Sequence, residues 1–237
     1  MHRALLILLL ALGLLGAGCG ASSSDSAATS TETTSTKTTA GVTTAPGDTT
    51  TAAAGCTRVK APAPRGDGSA TAPKERLDPA KTYNLVFKTN CGSFTVTLVL
   101  AKAPATDASL VSLARSGFYD NTIFHRIVPG FVIQGGDPTQ SGSGGAGYQT
   151  VDAPPADASY TKGVVAMAKA GAEKAGTSGS QFFVVTGADI GLPSEYAIVG
   201  NVTSGIAVAE RIGVLGDPAT EKPTRPVVIQ SVKVAEK

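Results

Sequence analysis

The stretch Phe124-His125-Arg126-Ile127-Val128-Pro129-Gly130-Phe131-Val132-Ile133-Gln134-Gly135-Gly136-Asp137-Pro138 decides how this chain is read. Pro129-Gly130 is a turn signal between two short runs of β-branched and aromatic residues, so the segment predicts two paired strands. The turn brings Arg126 across from Val132 and Gln134, which share a face by period-two alternation. An Arg and a Gln among consecutive apolar strand residues are costly to bury without partners. That weakens the plainer reading, in which Phe124, Phe131, Phe182 and Phe183 fill a core and Arg126 is a surface charge.

Working outward, residues 83–88 and 93–100 are rich in β-branched and aromatic residues and flank the turn signal Thr89-Asn90-Cys91-Gly92, which predicts a hairpin. A helix should follow, with Pro104 in its first turn, a stripe of Leu110, Val111, Leu113 and Ala114, and Gly117 as its stop. Further strands are expected at 122–128, 131–135, 163–168, 181–186, 196–202 and 226–234, and a short helix over 206–212. Many short strands with Gly/Pro turns and only two helices point to a mainly β barrel or sandwich.

The rest of the chain is unlike this part. Arg3 and the 12 apolar or Gly residues from Ala4 to Leu15 form an export leader, too short for the roughly 20 residues of a spanning helix. It ends in Gly16-Ala17-Gly18-Cys19, which resembles the bacterial lipobox, although Gly16 stands where leucine is usual; Cys19 is the expected acylation site. Residues 21–54 hold 18 Ser or Thr among 34, and 55–76 carry five positive and two negative side chains with Pro62, Pro64 and Pro73. Neither stretch offers enough apolar surface to offset its ordering entropy. The expected organisation is therefore a leader over 1–19, a disordered tether over 20–76 and one domain over 77–237. With Cys19 lipidated, Cys56 and Cys91 remain as an even pair, either a disulfide of an oxidising compartment or two free thiols.

Charge and motifs exclude several functions. A formal charge of +2 is too small for phosphate-driven nucleic-acid binding, and the 161 residues from Leu77 are neutral, with 13 basic and 13 acidic side chains. Gly142-Ser143-Gly144-Gly145-Ala146-Gly147 satisfies the dinucleotide pattern GxGxxG, but neither a strand before nor a helix after supports it. Asn201-Val202-Thr203 is only a three-residue glycosylation match. His125 is the single histidine left after leader cleavage, which leaves nothing for a metal site built from several His and Cys, and no GxSxG elbow marks a hydrolase. No cofactor is implied.

The segment 124–138 closely resembles the signature of cyclophilin-type peptidyl-prolyl isomerases. So do Met167-Ala168 followed by Gly179-Ser180-Gln181-Phe182-Phe183, and Leu192 to Gly200, and the likeness covers nearly all of 83–235. It implies a closed antiparallel eight-stranded β-barrel capped by two helices, acting as a monomer on proline-containing chains. By family position Arg126 is the catalytic donor to the proline nitrogen, and Phe131, Val132, Phe183 and Leu192 form the proline pocket. Gln134 grips the substrate backbone, Gln181 shapes the neighbouring wall, and Ala168, Lys169 and Tyr196 border the groove.

Four positions depart from the pattern: Val132 for methionine, Lys169 for asparagine, Tyr196 for histidine, and Gly191 where many members carry tryptophan. The lysine charge could favour acidic substrates, and the missing tryptophan puts strong binding of the family's cyclic-peptide inhibitor in doubt. Taken together the expectation is an isomerase anchored by its lipid to the outer face of the cytoplasmic membrane, where it assists folding of exported proteins. A noncatalytic proline-binding or chaperone module on the same fold is the alternative. A solute-binding lipoprotein would share the leader but needs a larger bilobal domain.

Overall fold

A computed structural model describes residues 55–237; the leader, Cys19 and the Ser/Thr-rich stretch to residue 54 lie outside the described residues. In chain order the elements are β1 (Tyr83–Thr89), β2 (Gly92–Leu98), α1 (Pro104–Arg115), β3 (Thr122–Ile123), β4 (Arg126–Val128), β5 (Val132–Gly135) and β6 (Thr150–Val151). They continue as β7 (Val164–Met167), β8 (Thr177–Ser178), β9 (Phe182–Val185), β10 (Ile198–Ser204), α2 (Ile206–Gly213) and β11 (Val228–Glu236). Nine strands form one antiparallel sheet in the order β3-β11-β1-β2-β10-β7-β9-β5-β4, and β6 pairs with β8 separately.

The closed eight-stranded barrel is thus corrected to a strongly curled sheet of nine strands with two edges. The single strand expected over 122–128 is in fact two. Its first part pairs with β11 at one edge and its second with β5 at the other. Between them Phe124 is fully buried, and its N–H donates to the Val227 carbonyl at 3.0 Å, one step further along the β3–β11 register, before the chain leaves that edge. Two residues carry the backbone from edge to edge, so a covalent link stands where a closed barrel would have hydrogen bonds. The curl is tight: a Cβ on Gly135 of β5 would lie 3.2 Å from the Ile123 carbonyl of β3.

Alternation sorts side chains between two apolar clusters. In β9 Phe182 enters the larger one, where its ring meets Tyr119 and Phe124 edge-on, whereas Phe183 enters the smaller one with Val132, Tyr160 and Ala166. In β7 Val165 and Met167 face the first cluster, Val164 and Ala166 the second. Both strands are buried on both faces, which is why they read as continuous apolar runs. Stacked rings of Phe87 and Phe94, 4.8 Å apart, fix the β1–β2 register inside the larger cluster.

Residues 55–76, assigned to the tether by composition, instead lie along the domain. Cys56 is disulfide-bonded to Cys91 in the β1–β2 turn, and the Thr57 N–H donates to the Asn90 carbonyl at 2.8 Å. Farther on, Arg65, Gly68 and Ala70 donate backbone hydrogen bonds to the carbonyls of Pro138, Gly145 and Ala146. Composition missed this because the docking uses peptide groups, which every sequence carries, rather than an apolar face.

Candidate active site

Strand register assembles the site. Arg126 on β4 stands opposite Gln134 on β5, Gln134 opposite Phe183 on β9, and Phe183 opposite Ala166 on β7. One row across four strands therefore carries a cation, an amide and a ring on the same side. The turn Pro129-Gly130 is held by the Phe131 carbonyl, which accepts from the Thr186 and Gly187 N–H groups at 2.9 and 3.2 Å. Gly187 is needed there, because a Cβ would fall 2.2 Å from the Gly130 oxygen.

Around this row lies a pocket of about 290 Å³ lined by Arg126, Phe131, Val132, Gln134, Ala168, Lys169, Phe183, Leu192 and Tyr196. Its floor is apolar: Phe183 and Tyr196 meet edge to face at 5.6 Å, and the Tyr160 ring lies behind both. Tyr160 is fully buried; its hydroxyl donates to the Tyr196 carbonyl at 2.8 Å and accepts from the Tyr196 N–H at 3.0 Å. That pair of bonds clamps the loop bearing Tyr196 against the sheet. Gln181 does not line this pocket. It lies on the wall of an adjoining cavity of about 650 Å³, shared with Gln134, Ala168, Lys169 and the loop 142–149.

Arg126 is oriented from two sides. Its Nε donates to Glu221 Oε2 at 2.6 Å and its Nη1 to Gln134 Oε1 at 3.3 Å. Gln134 Nε2 in turn donates to Gln181 Oε1 at 3.0 Å, and Gln181 Nε2 donates to the carbonyls of Gly142 and Gly144, both at 2.9 Å. The guanidinium keeps terminal N–H groups for a ligand, at the edge of an apolar pocket where a charged donor is poorly screened. Glu221 belongs to a tight loop and has φ of 57°, with its own carbonyl accepting from the Ile127 N–H at 2.8 Å. No sequence signal pointed to Glu221 or Tyr160: both sit in irregular segments without periodicity.

Lys169 departs from the expectation that its charge is offered to substrates. Its side chain is 1% exposed, its Nζ lies 2.9 Å from the Glu195 carboxylate, and it stands 5.7 Å from the Tyr196 ring centre. The ion pair consumes the charge, and Lys169 serves as a wall. His125, next to Arg126, has no hydrogen-bond partner on either ring nitrogen among the described residues. Burial lowers its pKa against the opposing pull of Asp137, and Arg126 lowers it further, which favours the neutral ring. Gly191 leaves open space beside Leu192.

A family model described as cyclophilin type peptidyl-prolyl cis-trans isomerase/CLD matches residues 84–234. The peptidyl-prolyl cis-trans isomerase-like 1 of Gibberella zeae is 38% identical over 159 residues, covering 65% of this chain and 96% of its own length. The cattle protein of the same name is 39% identical over 150 residues, 62% of this chain and 89% of its own. A cyclophilin-type isomerase crystal structure from Cryptosporidium parvum superposes with a TM-score of 0.60 at 31% identity, covering 65% of this chain and 98% of its own. The same protein was solved in the presence of the dipeptide Ala-Pro. On the strength of the matched span and of these relatives, this chain belongs to the cyclophilin-type peptidyl-prolyl cis-trans isomerases.

Proposed function

We propose that the pocket beside Arg126 holds the proline ring of an extended polypeptide while the preceding peptide bond turns between cis and trans. The bond resists because resonance gives it partial double-bond character, with a barrier of about 18–20 kcal/mol. At the twisted midpoint the resonance is lost and the proline nitrogen becomes a better acceptor. A donor aimed at that atom stabilises the midpoint more than either end state, and that difference alone accelerates the rotation. Arg126 is this donor. Phe131, Val132, Phe183 and Leu192 grip the ring, Gln134 holds the substrate backbone, and Gln181, Ala168, Lys169 and Tyr196 form the surrounding walls.

The observation that carries this reading is the double restraint of Arg126, by Glu221 and by Gln134, at the edge of a pocket with an apolar floor and room for a proline ring. A protease-free cis/trans assay on a proline peptide tests it. Arg126→Ala is expected to lower kcat/KM about a hundredfold, the loss typical of removing a preorganised donor. Equal acceleration by both proteins sinks the mechanism, and peptide binding without acceleration by either would mark a noncatalytic module.

The cellular setting we propose is an exported bacterial lipoprotein, acylated at Cys19, that acts as a monomer on proteins folding outside the cytoplasmic membrane. The leader-like start and the Cys56–Cys91 disulfide support this, because such bonds persist in oxidising compartments. Cys19→Ser is expected to release the protein from membranes, and continued retention counts against acylation.

A further inference from the structure

The loop 137–147 is shaped from within by Asp137. Its carboxylate accepts from the Thr139 N–H and hydroxyl, from the Gly142 N–H at 2.6 Å and from the Gly144 N–H at 3.2 Å. Burial opposes ionisation there, but these hydrogen bonds outweigh it and hold the Asp137 carboxyl below the usual carboxylate range. Beyond Gly142 the sequence is almost all glycine, serine and alanine, so the loop has no large side chains to anchor it to the domain.

Its outer side is held by residues that lie before the matched family span. The Gln140 side chain donates to the Pro62 carbonyl at 3.0 Å, and the Arg65 N–H to the Pro138 carbonyl at 2.9 Å. Gly68 and Ala70 donate to the Gly145 and Ala146 carbonyls, each at 2.9 Å, and the Gly145 N–H returns a bond to Asp67 Oδ1 at 3.1 Å. The Arg65 guanidinium also lies 5.9 Å from the centre of the Phe118 ring. The approach is backbone to backbone: a Cβ on Gly68 would sit 2.7 Å from the Gly145 oxygen, and one on Gly147 2.3 Å from the Gly68 oxygen. The glycine pattern that imitates a dinucleotide loop thus serves close contact with an adjacent stretch of the same chain. The inner side of the loop presents the Gly142 and Gly144 carbonyls to Gln181, which leads through Gln134 to Arg126.

We propose that residues 57–70 are a positioning strap for the groove. Pinned at Cys56 and hydrogen-bonded along the outside of the loop, the strap fixes the carbonyls that orient Gln181 and so sets the Arg126 guanidinium. The inference rests on the reading that Arg126 is the donor during X–Pro rotation. None of the strap residues lines the pocket beside Arg126 or the adjoining cavity; they act through the loop.

Four proteins test it, all assayed well below their unfolding temperature: wild type, Gly68→Ala, Gly66→Ala, and a variant with 62–72 replaced by a Gly-Ser repeat of equal length that carries proline at 65, 68 and 70 and so lacks the three backbone donors to the loop. Gly68→Ala drives a methyl group into the loop, whereas Gly66 has open space around it. The Gly68→Ala and Gly-Ser variants are expected to lose about three- to tenfold in kcat/KM, as loosened catalytic groups do. Their 142–147 amides should exchange faster, and the side-chain amide signals of Gln134 and Gln181 should shift and broaden. Gly66→Ala should match wild type. Wild-type kcat/KM in the Gly-Ser variant despite faster loop exchange overturns the proposal, as does loop exchange that stays unchanged. If instead Arg126→Ala is as active as wild type, the underlying donor reading fails, and the glutamine signals still report separately whether the strap holds the loop.

Discussion

Two ionisable side chains lie on opposite sides of the logic of this fold. Arg126, on β4 in the groove, is partly exposed and bonded to Glu221 and Gln134. Asp107, on α1, is fully buried and neither carboxyl oxygen has a hydrogen-bond partner among the described residues. Its neighbour Thr106 shows what a satisfied site there looks like. Thr106 donates both its N–H and its hydroxyl to Asp152 Oδ2 at 2.7 Å, so a distant carboxylate supplies the helix start that lacks a side-chain cap of its own. The groove keeps its charge by pairing it, whereas the scaffold keeps a carboxyl only by leaving it protonated. Burial, with the nearby Asp152 charge adding to it, pushes the Asp107 pKa up to about 8.

The largest expected effect comes from breaking the scaffold half of this comparison. Unfolded, Asp107 releases its proton near pH 4; folded, it holds the proton to about 8. Between those values the folded state binds more protons, so stability falls as pH rises, by on the order of 5 kcal/mol across the window. Asp107→Ala should remove this slope: in urea melts its advantage over wild type grows from about pH 4 to about pH 8. A constant difference at every pH would show that the carboxyl is ionised or solvated in the fold.

The disulfide ranks next. Cys56 and Cys91 are 35 residues apart, and closing a loop of that size stabilises by about 3–4 kcal/mol in the chain-entropy model. Cys56→Ser/Cys91→Ser should lose stability of that order in urea melts while Asp107 keeps its pH slope, because the two sites share no partner. A loss below about 1 kcal/mol would mean that residues 57–70 come away from the domain once unlinked, so that the folded state regains much of the freedom the unfolded chain does.

The legibility of the two regions differs for a physical reason. Part of the groove was readable because it is written in side chains: a turn at Pro129-Gly130 faces Arg126 with Gln134, whereas the rest of its lining came only from the family likeness. The α1 stripe of Leu110, Val111, Leu113 and Ala114 was also readable. The burial of Thr106, Asp107 and Ser109 on the same helix was not, because polar side chains are expected in water even where, as at Asp107, they share a face with Leu110, Val111 and Ala114. Nor could alternation show that 122–128 splits between two sheet edges, since that depends on where Phe124 finds the core. The strap over 57–70 and the loop 142–147 meet mainly through peptide groups, with Asp67 as the one side-chain partner among the described residues, and peptide groups leave no trace in composition.

On the groove side, Arg126→Lys tests whether pairing or charge alone makes the donor. Lysine keeps the charge but lacks the fork that bonds Glu221 and Gln134 and still faces the pocket. It should retain little more activity than Arg126→Ala, a loss in kcat/KM of about a hundredfold. Near-wild-type activity would mean that a point charge suffices and that the two restraints are incidental.

Glu221→Ala gives the smallest expected change and the finest distinction. In the proposed mechanism Glu221 does two opposing things to Arg126: it holds Nε in place at 2.6 Å, and its negative charge offsets part of the field that the guanidinium would offer a proline nitrogen. Removing it loosens the donor but strengthens its charge. The carboxylate is nearly half exposed, so water screens the second effect, while the loss of a bond at Nε frees the whole guanidinium to rotate. Orientation should therefore win, with kcat/KM lower by about fivefold. Because the fault lies in aiming rather than in gripping the ring, the loss should fall on kcat more than on KM. Glu221→Gln, which accepts the same hydrogen bond without the charge, should recover wild-type activity or exceed it. If Glu221→Ala were faster than wild type, the carboxylate would be a brake on the donor, and the restraint by Gln134 alone would suffice to aim it.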